Sequence, residues 1–271
     1  MSDELARIAA ALERLAPAAS AVTDWLSAPA YVWQGSARRV AALQAPALAL
    51  LKGIDDQKAA VTGNVARLAA GHAAHDMLLW GSRGMGKSAL LRAAVVAAQG
   101  QDPSRIALVQ IAPEALSSLA QVFGELGGQP RQFLVFIDDL GFEDHDSAGP
   151  RALRSWLEGG IEARPGNVRI AVTSNRRAIV PRHLSEQDDP INPRDAVDDR
   201  LALADRFGLS IGFHNCNQDD YLAIVAGYCA EHGLDWTEAA ALEWSKRRGA
   251  RSGRVAWQFV TELAGRAGKV L

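Results

Sequence analysis

A chain of 271 residues with a formal net charge of −2 is long enough to bury a full core, and it carries no global field that would draw it to DNA, RNA or an acidic membrane. Its two cysteines, Cys216 and Cys229, form no C-x-x-C pair and have no paired histidine motif, which argues against a zinc site and fits a reducing cytosol. The N-terminus is acidic without a signal-peptide pattern, and no apolar stretch is long enough to span a bilayer, so the expectation is a soluble cytoplasmic protein.

Leu5, Ile8, Ala9, Leu12 and Leu15 share one face of a helix expected over about residues 3–16, ended by Pro17. A second helical stretch is expected from about Ala19 to Leu26. Tyr31 to Gly35 reads as a short extended piece. Val40 to Leu51 is rich in Ala and Leu but broken at Pro46. Residues 1–50 are therefore expected to be a small helical segment packed on the remainder of the chain, with no catalytic constellation. Asp55 or Asp56 would cap the next helix, which runs to about Ala70.

The apolar run Met77 to Trp80 then meets Gly81-Ser82-Arg83-Gly84-Met85-Gly86-Lys87-Ser88, followed by the helix formers Ala89 to Ala94. Strand, glycine-rich loop and helix form the setting in which the G-x-x-x-x-G-K-[ST] pattern cradles phosphate. Such a loop turns its backbone N–H groups inward, through φ values that glycine adopts cheaply. A helix opening at Lys87 aims its positive end at the anion. In this reading Lys87 reaches the β- and γ-phosphates and the Ser88 hydroxyl holds Mg²⁺. A glycine-rich turn that binds nothing is the competing reading. Chance gives the pattern in a chain of this length only about one time in a hundred, and the flanking elements make it rarer.

Beyond the loop, the helix from Lys87 is expected to reach about Gln99. Ile106 to Ile111 is a strand and Glu114 to about Leu126 a helix. Phe133 to Ile137 is continuously apolar, as a strand buried on both faces of a parallel sheet should be. A helix over about Ala152 to Ala163, a strand Val168 to Thr173, a helix over about Asp195 to Asp205 and a strand Leu209 to Phe213 complete the alternation. Strands alternating with helices predict a parallel α/β sheet. From Asn217 only helices are expected, over about residues 218–231, 237–248 and 253–267. The expected organisation is an N-terminal segment 1–50, a nucleotide-binding α/β domain 51–214 and a helical lid 215–271.

The strand Phe133 to Ile137 ends in Asp138-Asp139. Ligands of open α/β sheets bind at the carboxyl ends of the strands. Asp138 would orient the Mg²⁺ shell, and Asp139 would polarise an attacking water, with Glu143 as a substitute base. Both could also be a plain acidic turn. Asn175, at the end of the strand from Val168, could touch the γ-phosphate or the water, or be a turn residue.

Phosphate loop, aspartate pair, strand-end Asn, late Arg and helical tail, in that order, resemble the AAA+ ATPases. The resemblance extends to a bacterial family known as domain of unknown function 815 and covers about Leu50 to Ala264. It is carried by Leu51-Lys52-Gly53-Ile54-Asp55, Leu157 to Pro165 (LEGGIEARP), Thr173-Ser174-Asn175-Arg176-Arg177, Ser185-Glu186, Asp198-Asp199-Arg200-Leu201, Asp205-Arg206-Phe207-Gly208-Leu209 and Ser252-Gly253-Arg254. It implies a P-loop fold with a five-stranded parallel sheet between helices and a C-terminal helical lid. It also implies that Gly53 and Ile54 flank adenine, that Asn175 is sensor 1, and that Arg206 is an arginine finger acting in trans within a homo-oligomer. Arg254 falls where sensor 2 lies. Arg200 competes with Arg206 for the finger, and Arg251 with Arg254. Many AAA+ enzymes carry Glu where this chain has Asp139; the shorter side chain suggests slow or partner-stimulated hydrolysis.

The activity implied is an ATPase using ATP and Mg²⁺ to switch or remodel a protein client or an assembly. Two alternatives stand beside it: an initiator- or loader-like factor on nucleic acid, and a nucleotide-binding scaffold with little turnover. Lys246, Arg247, Arg248, Arg251 and Arg254 form the basic cluster that a nucleic acid would use, or simply a solvated helix end. The neutral overall charge does not favour nucleic acid. The seven tryptophans read as core and lid packing. His183 and His214 show no metal spacing, and Ser185 to Pro193 reads as a polar loop near the nucleotide.

Overall fold

The computed structural model describes residues 23–140, 164–175 and 205–271, together with Leu153, Trp156 and Leu157 of the segment between. Its strands are β1 (Ala30–Trp33), β2 (Ala37–Val40), β3 (Met77–Gly81), β4 (Ile106–Ile111), β5 (Gln132–Ile137), β6 (Val168–Ser174) and β7 (Leu209–Phe213). The continuous α-helices among the described residues are α1 (Asp55–Ala69), α2 (Lys87–Gln101), α3 (Leu119–Leu126), α4 (Gln218–His232), α5 (Glu238–Arg248) and α6 (Gly253–Arg266).

All the strands join one sheet in the order β2-β1-β4-β5-β6-β3-β7. The run from β4 to β7 is the parallel five-stranded core that the sequence predicts. Two strands extend it. β1 pairs parallel to β4, and β2 turns back antiparallel on β1 through Gln34, Gly35 and Ser36.

The helical expectation for residues 1–50 therefore needs correcting where the chain is described. Residues 23–50 hold a β-hairpin and a single 3-10 turn at Leu48–Leu50, and no α-helix. Pro29 and Pro46 interrupt any helix there, while Tyr31, Val32 and Trp33 suit a pleated surface. The extended piece at Tyr31 was legible, but its pairing partner was not. The expected helix over residues 3–16, that over about 195–205 and most of the one over 152–163 lie outside the described residues. Asp55 and Asp56 are not caps. Ile54 is the N-cap, and both carboxylates sit in the first turn of α1, where they face the positive helix end. Glu114 belongs to a 3-10 helix, Pro113–Ser118, and α3 begins only at Leu119.

The core strands alternate between two apolar layers with the two-residue period of a strand. Met77, Leu79, Leu134 and Phe136 face α1 and α2, meeting Val65, Leu68, Leu90 and Val95. Leu78, Phe133, Val135 and Ile137 face the other way, onto Trp25, Trp33, Val122 and Phe123. The first layer continues into the lid through Tyr221, Val225, Phe259 and Val260. The lid helices are capped by side chains of Asn217, Thr237 and Ser252, which accept from the N–H groups of Asp220, Ala240 and Val255.

Arg131 fastens the segment before the hairpin to the body. Its side chain is buried, and its guanidinium donates to the carbonyls of Trp25, Ala28, Pro103 and Ile106 at 2.7–3.1 Å. Burial pulls its pKa below the ordinary arginine value. Arg131→Ala leaves those carbonyls short of a donor and opens a void. It is expected to cost about 2–4 kcal/mol, read as a lower denaturant midpoint at unchanged slope. A shift no larger than a surface substitution gives, about 0.5 kcal/mol, would refute this anchoring role.

Candidate nucleotide site

The loop between β3 and α2 is shaped by its glycines. Gly81, Gly84 and Gly86 have φ of 118°, 78° and 88°, values that carry a penalty for any other residue. Gly81 also ends β3 against β7, where the Ser82 N–H donates to the Phe213 carbonyl at 2.8 Å. Gly84 lies under the lid: the Arg254 N–H donates to its carbonyl at 3.2 Å, and Ser252 fills the space where a Cβ would stand. Lys87 opens α2 directly after Gly86, so the positive end of that helix faces the loop.

Lys87 is buried. Its ammonium donates to the carbonyls of Gly81 and Ser82 at 2.9 Å each and to Asn175 Oδ1 at 3.1 Å. Burial pulls its pKa below the ordinary lysine value; Asp139 and Asp138 oppose the shift, and Arg254 and Arg83 add to it. The Asn175 amide donates in turn to Asp139 Oδ1, and the other oxygen of Asp139 lies 3.6 Å from the Arg83 guanidinium. Asp138 Oδ1 accepts from the Ser88 hydroxyl and from the Thr173 hydroxyl, both at 2.6 Å. Thr173 Oγ1 also accepts from the Asp139 N–H at 2.8 Å. Asp139 is the one non-glycine residue of positive φ among the described residues, at 53°. Asp tolerates this region better than most residues, and a left-handed residue held in place by its neighbours is a frequent mark of a functional site.

These side chains border a cleft of about 460 Å³ between the strand ends and the lid. Among the described residues, its walls carry Lys52, Arg83, Lys87, Arg92 and Arg254 against the carboxylates of Asp138 and Asp139. A chain of near-neutral charge thus concentrates cations at one place, which suits a polyphosphate. In the same cleft Leu50, Leu51, Ile54, Ile224, Tyr228 and Trp257 supply an apolar lining. Among the described residues no group of His, Cys, Asp and Glu side chains could cage a metal on its own. Ser88 and Asp138, already within hydrogen-bond distance of each other, offer the hydroxyl and carboxylate with which Mg²⁺ is held when phosphates complete its shell.

Most of the expected site residues meet here. Gly84, Met85, Gly86, Lys87, Ser88, Arg83, Asp138, Asp139, Asn175, Ile54 and Arg254 all line the cleft. Gly53 does not. It turns the chain at φ 72° with Asp220 of α4 packed where its Cβ would be, so it positions Ile54 rather than lining the cleft. Gly81 and Ser82 also stand behind the lining, as the carbonyls that hold Lys87. Arg254 lines the cleft and Arg251 does not.

Arg206 is half-buried and precedes β7. β7 begins opposite Met77 and ends opposite Gly81, so Arg206 precedes the end of the strand remote from the loop, about 13 Å along β7, and it does not line the cleft. It is not a residue of its own chain's site. Arg200, Glu143 and His183 lie outside the described residues.

Tyr228 and Trp257 join the site without being singled out by any sequence motif, and Thr173 joins it although the stretch Thr173 to Arg177 gave it no role of its own. Thr173 carries a faint signal, a hydroxyl at the end of a buried strand. Trp257 reads as packing in the sequence, yet it is partly exposed on the cleft wall, edge-on to Tyr228 at 5.0 Å. The lid cations mostly have local roles: Arg247 pairs with Glu243, and Arg248 covers the Trp244 ring at 4.8 Å. Both cysteines are buried, and burial raises the Cys216 thiol to about 11 with a smaller push from Asp220, so it is a neutral core thiol at ordinary pH.

The family model described as protein of unknown function DUF815 matches residues 26–267. No curated protein matches the chain. Among solved structures, the Thermotoga maritima RuvB Holliday junction branch migration motor aligns with a TM-score of 0.55 at 16% identity, over 84% of this chain and 68% of that one. The Aeropyrum pernix ORC1 protein in complex with DNA aligns with a TM-score of 0.56 at 15% identity, over 81% of this chain and 63% of that one. At such identities the likeness is one of fold: a parallel α/β sheet between helices with a C-terminal helical lid. No helix among the described residues is long and apolar enough to cross a membrane.

Proposed function

The chain belongs to the DUF815 family, and we propose that it is an ATPase that binds ATP with Mg²⁺ between sheet and lid and hydrolyses it to switch a protein client or an assembly. The observation that carries this reading is the linked set Lys87–Asn175–Asp139 beside Ser88–Asp138. One oxygen of Asp138 is committed to the Ser88 and Thr173 hydroxyls, which supports its reading as a ligand rather than a base. Asp139 is oriented by its backbone and by Asn175, which supports its reading as the acceptor for the water proton. Mg²⁺, held by Ser88 and Asp138, would neutralise charge on the phosphate oxygens. Lys87 would contribute the same, and Leu51, Ile54, Tyr228 and Trp257 would supply the apolar surface for the base. The lid touches the loop through Arg254, so nucleotide contacts can be passed to lid position.

Arg206 is proposed as the finger that enters a neighbour's site, because it precedes the end of β7 remote from its own loop and does not line its own cleft. The test is phosphate release from ATP and Mg²⁺ by the purified chain, by Arg206→Ala, by Lys87→Ala and by their mixture. Wild type should turn over, each variant should not, and mixing should restore part of the rate because a mixed interface pairs an intact loop with an intact finger. No restoration at any ratio would sink the trans finger, and no turnover by wild type would overturn the ATPase reading.

A nucleic-acid-associated factor is the second reading, favoured by the basic residues around Arg251 and by a fold shared with a protein solved on DNA. A salt-dependent shift with single-stranded DNA would support it.

A further inference from the structure

We infer that Arg83 is a ligand for the γ-phosphate supplied by the chain to its own site, so that the cleft distinguishes a nucleoside triphosphate from a diphosphate. The inference rests on the cleft binding a nucleotide, as proposed above. Arg83 is the third residue of the loop, set between Gly81 and Gly84, whose positive φ values fix the direction of the backbone on either side. Its guanidinium lies 3.6 Å from Asp139, beyond hydrogen-bond distance. Both side chains are more than half exposed, at 69% and 54%. An ion pair that long and that wet contributes little, so the guanidinium is re-aimed at small cost.

The direction it would take is set by the linked side chains. Lys87 and Arg83 stand at the two ends of a chain of contacts that runs through Asn175 and Asp139. A loop lysine of this type reaches the β- and γ-phosphates, and the carboxylate that accepts a proton from the attacking water must lie beside the terminal phosphorus. Arg83 approaches the oxygen of that carboxylate that Asn175 leaves open. A terminal phosphate placed there offers a doubly accepting edge that suits a guanidinium better than one shared carboxylate oxygen. A diphosphate ends one group short and leaves Arg83 with Asp139. Occupation by a triphosphate therefore takes Arg83 off Asp139 and leaves the carboxylate free to accept a proton.

The test is direct binding of ADP and of a non-hydrolysable ATP analogue to the full chain, by titration calorimetry, for wild type and Arg83→Gln. The side chain is exposed, so the substitution leaves the core intact, and the ADP titration checks that the variant is folded. Arg83→Gln should weaken the triphosphate analogue about ten- to a hundredfold, the range of a charge-assisted contact, while ADP stays within about threefold, the range of an exposed ion pair. Arg83→Lys, which keeps the charge but not the fork, should fall between. The loss should grow in an Asp139→Asn background, where no carboxylate competes for the guanidinium. An equal loss for both nucleotides, or none for either, overturns the inference and leaves the ATPase reading standing. Failure of wild type to bind either nucleotide overturns both.

Discussion

Lys87→Ala is expected to remove ATP binding and turnover together, with the rate down by at least about a hundredfold, the scale set by deleting one charged or oxyanion-type contact in a closed site. The size of the effect follows from where the ammonium sits. It is buried at the floor of the cleft and held by two loop carbonyls and Asn175, so no neighbouring cation can move into its place. Arg83 and Arg254 reach the cleft from its exposed side. The fold should survive the change. Removing the ammonium costs three acceptors their donor but also relieves the burial of a cation, and these two terms oppose each other. Trp257 on the cleft wall gives a readout independent of turnover: ATP should alter its fluorescence in wild type and not in the variant. The pH dependence has a definite sign. Burial lowers the Lys87 pKa, and the protonated form is the one that binds phosphate, so affinity should fall as pH rises and begin to fall below the ordinary lysine range. Equal ATP affinity in wild type and Lys87→Ala would overturn the whole reading of the cleft.

The parts of this site that were legible in the sequence are those whose chemistry is local. Gly81 to Ser88 reads as a loop because turn, helix start and lysine are consecutive. Asp138 and Asp139 read as site residues because they end an apolar strand, and a parallel strand of that kind has its carboxyl end at the ligand crevice. The lid helices were legible through period and through Gly233 and Gly249, both left-handed C-caps. What could not be read depended on pairing between distant segments. Tyr31 to Trp33 is extended in either reading, but only the parallel register with β4 makes it part of the main sheet. Gly53 and Ile54 are adjacent, and only the approach of Asp220 decides that one turns the chain while the other lines the cleft. Trp257 shows the same limit. On α6 it follows the helical period of a packing residue, and its place beside Tyr228 of α4 is set by how two helices cross.

Gly81→Ala should cost roughly 2–6 kcal/mol, combining a backbone penalty of about 1–3 kcal/mol with a steric one of similar size. Against a total stability of about 5–15 kcal/mol for a domain, that approaches global unfolding. Two independent observations carry the expectation. The residue holds φ at 118°, which an L side chain rarely adopts, and a Cβ built there stands 2.1 Å from the Phe213 carbonyl oxygen. The obstacle is backbone, so no rotamer change relieves it. Moving away would break the Ser82 N–H bond to the same carbonyl and part β3 from β7 at the point where the phosphate loop starts. Gly35→Ala supplies the comparison. Gly35 has φ of 85° in the hairpin turn with nothing within 4 Å of the added carbon, so it should show the backbone penalty alone, about 1–2 kcal/mol. The difference between the two denaturant midpoints isolates the clash with β7. If Gly81→Ala unfolds at the same midpoint as Gly35→Ala, the close approach of the loop to Phe213 is not what sets its geometry. If it unfolds far lower and the surviving fraction no longer binds ATP, the strand pairing that holds the fold also shapes the loop.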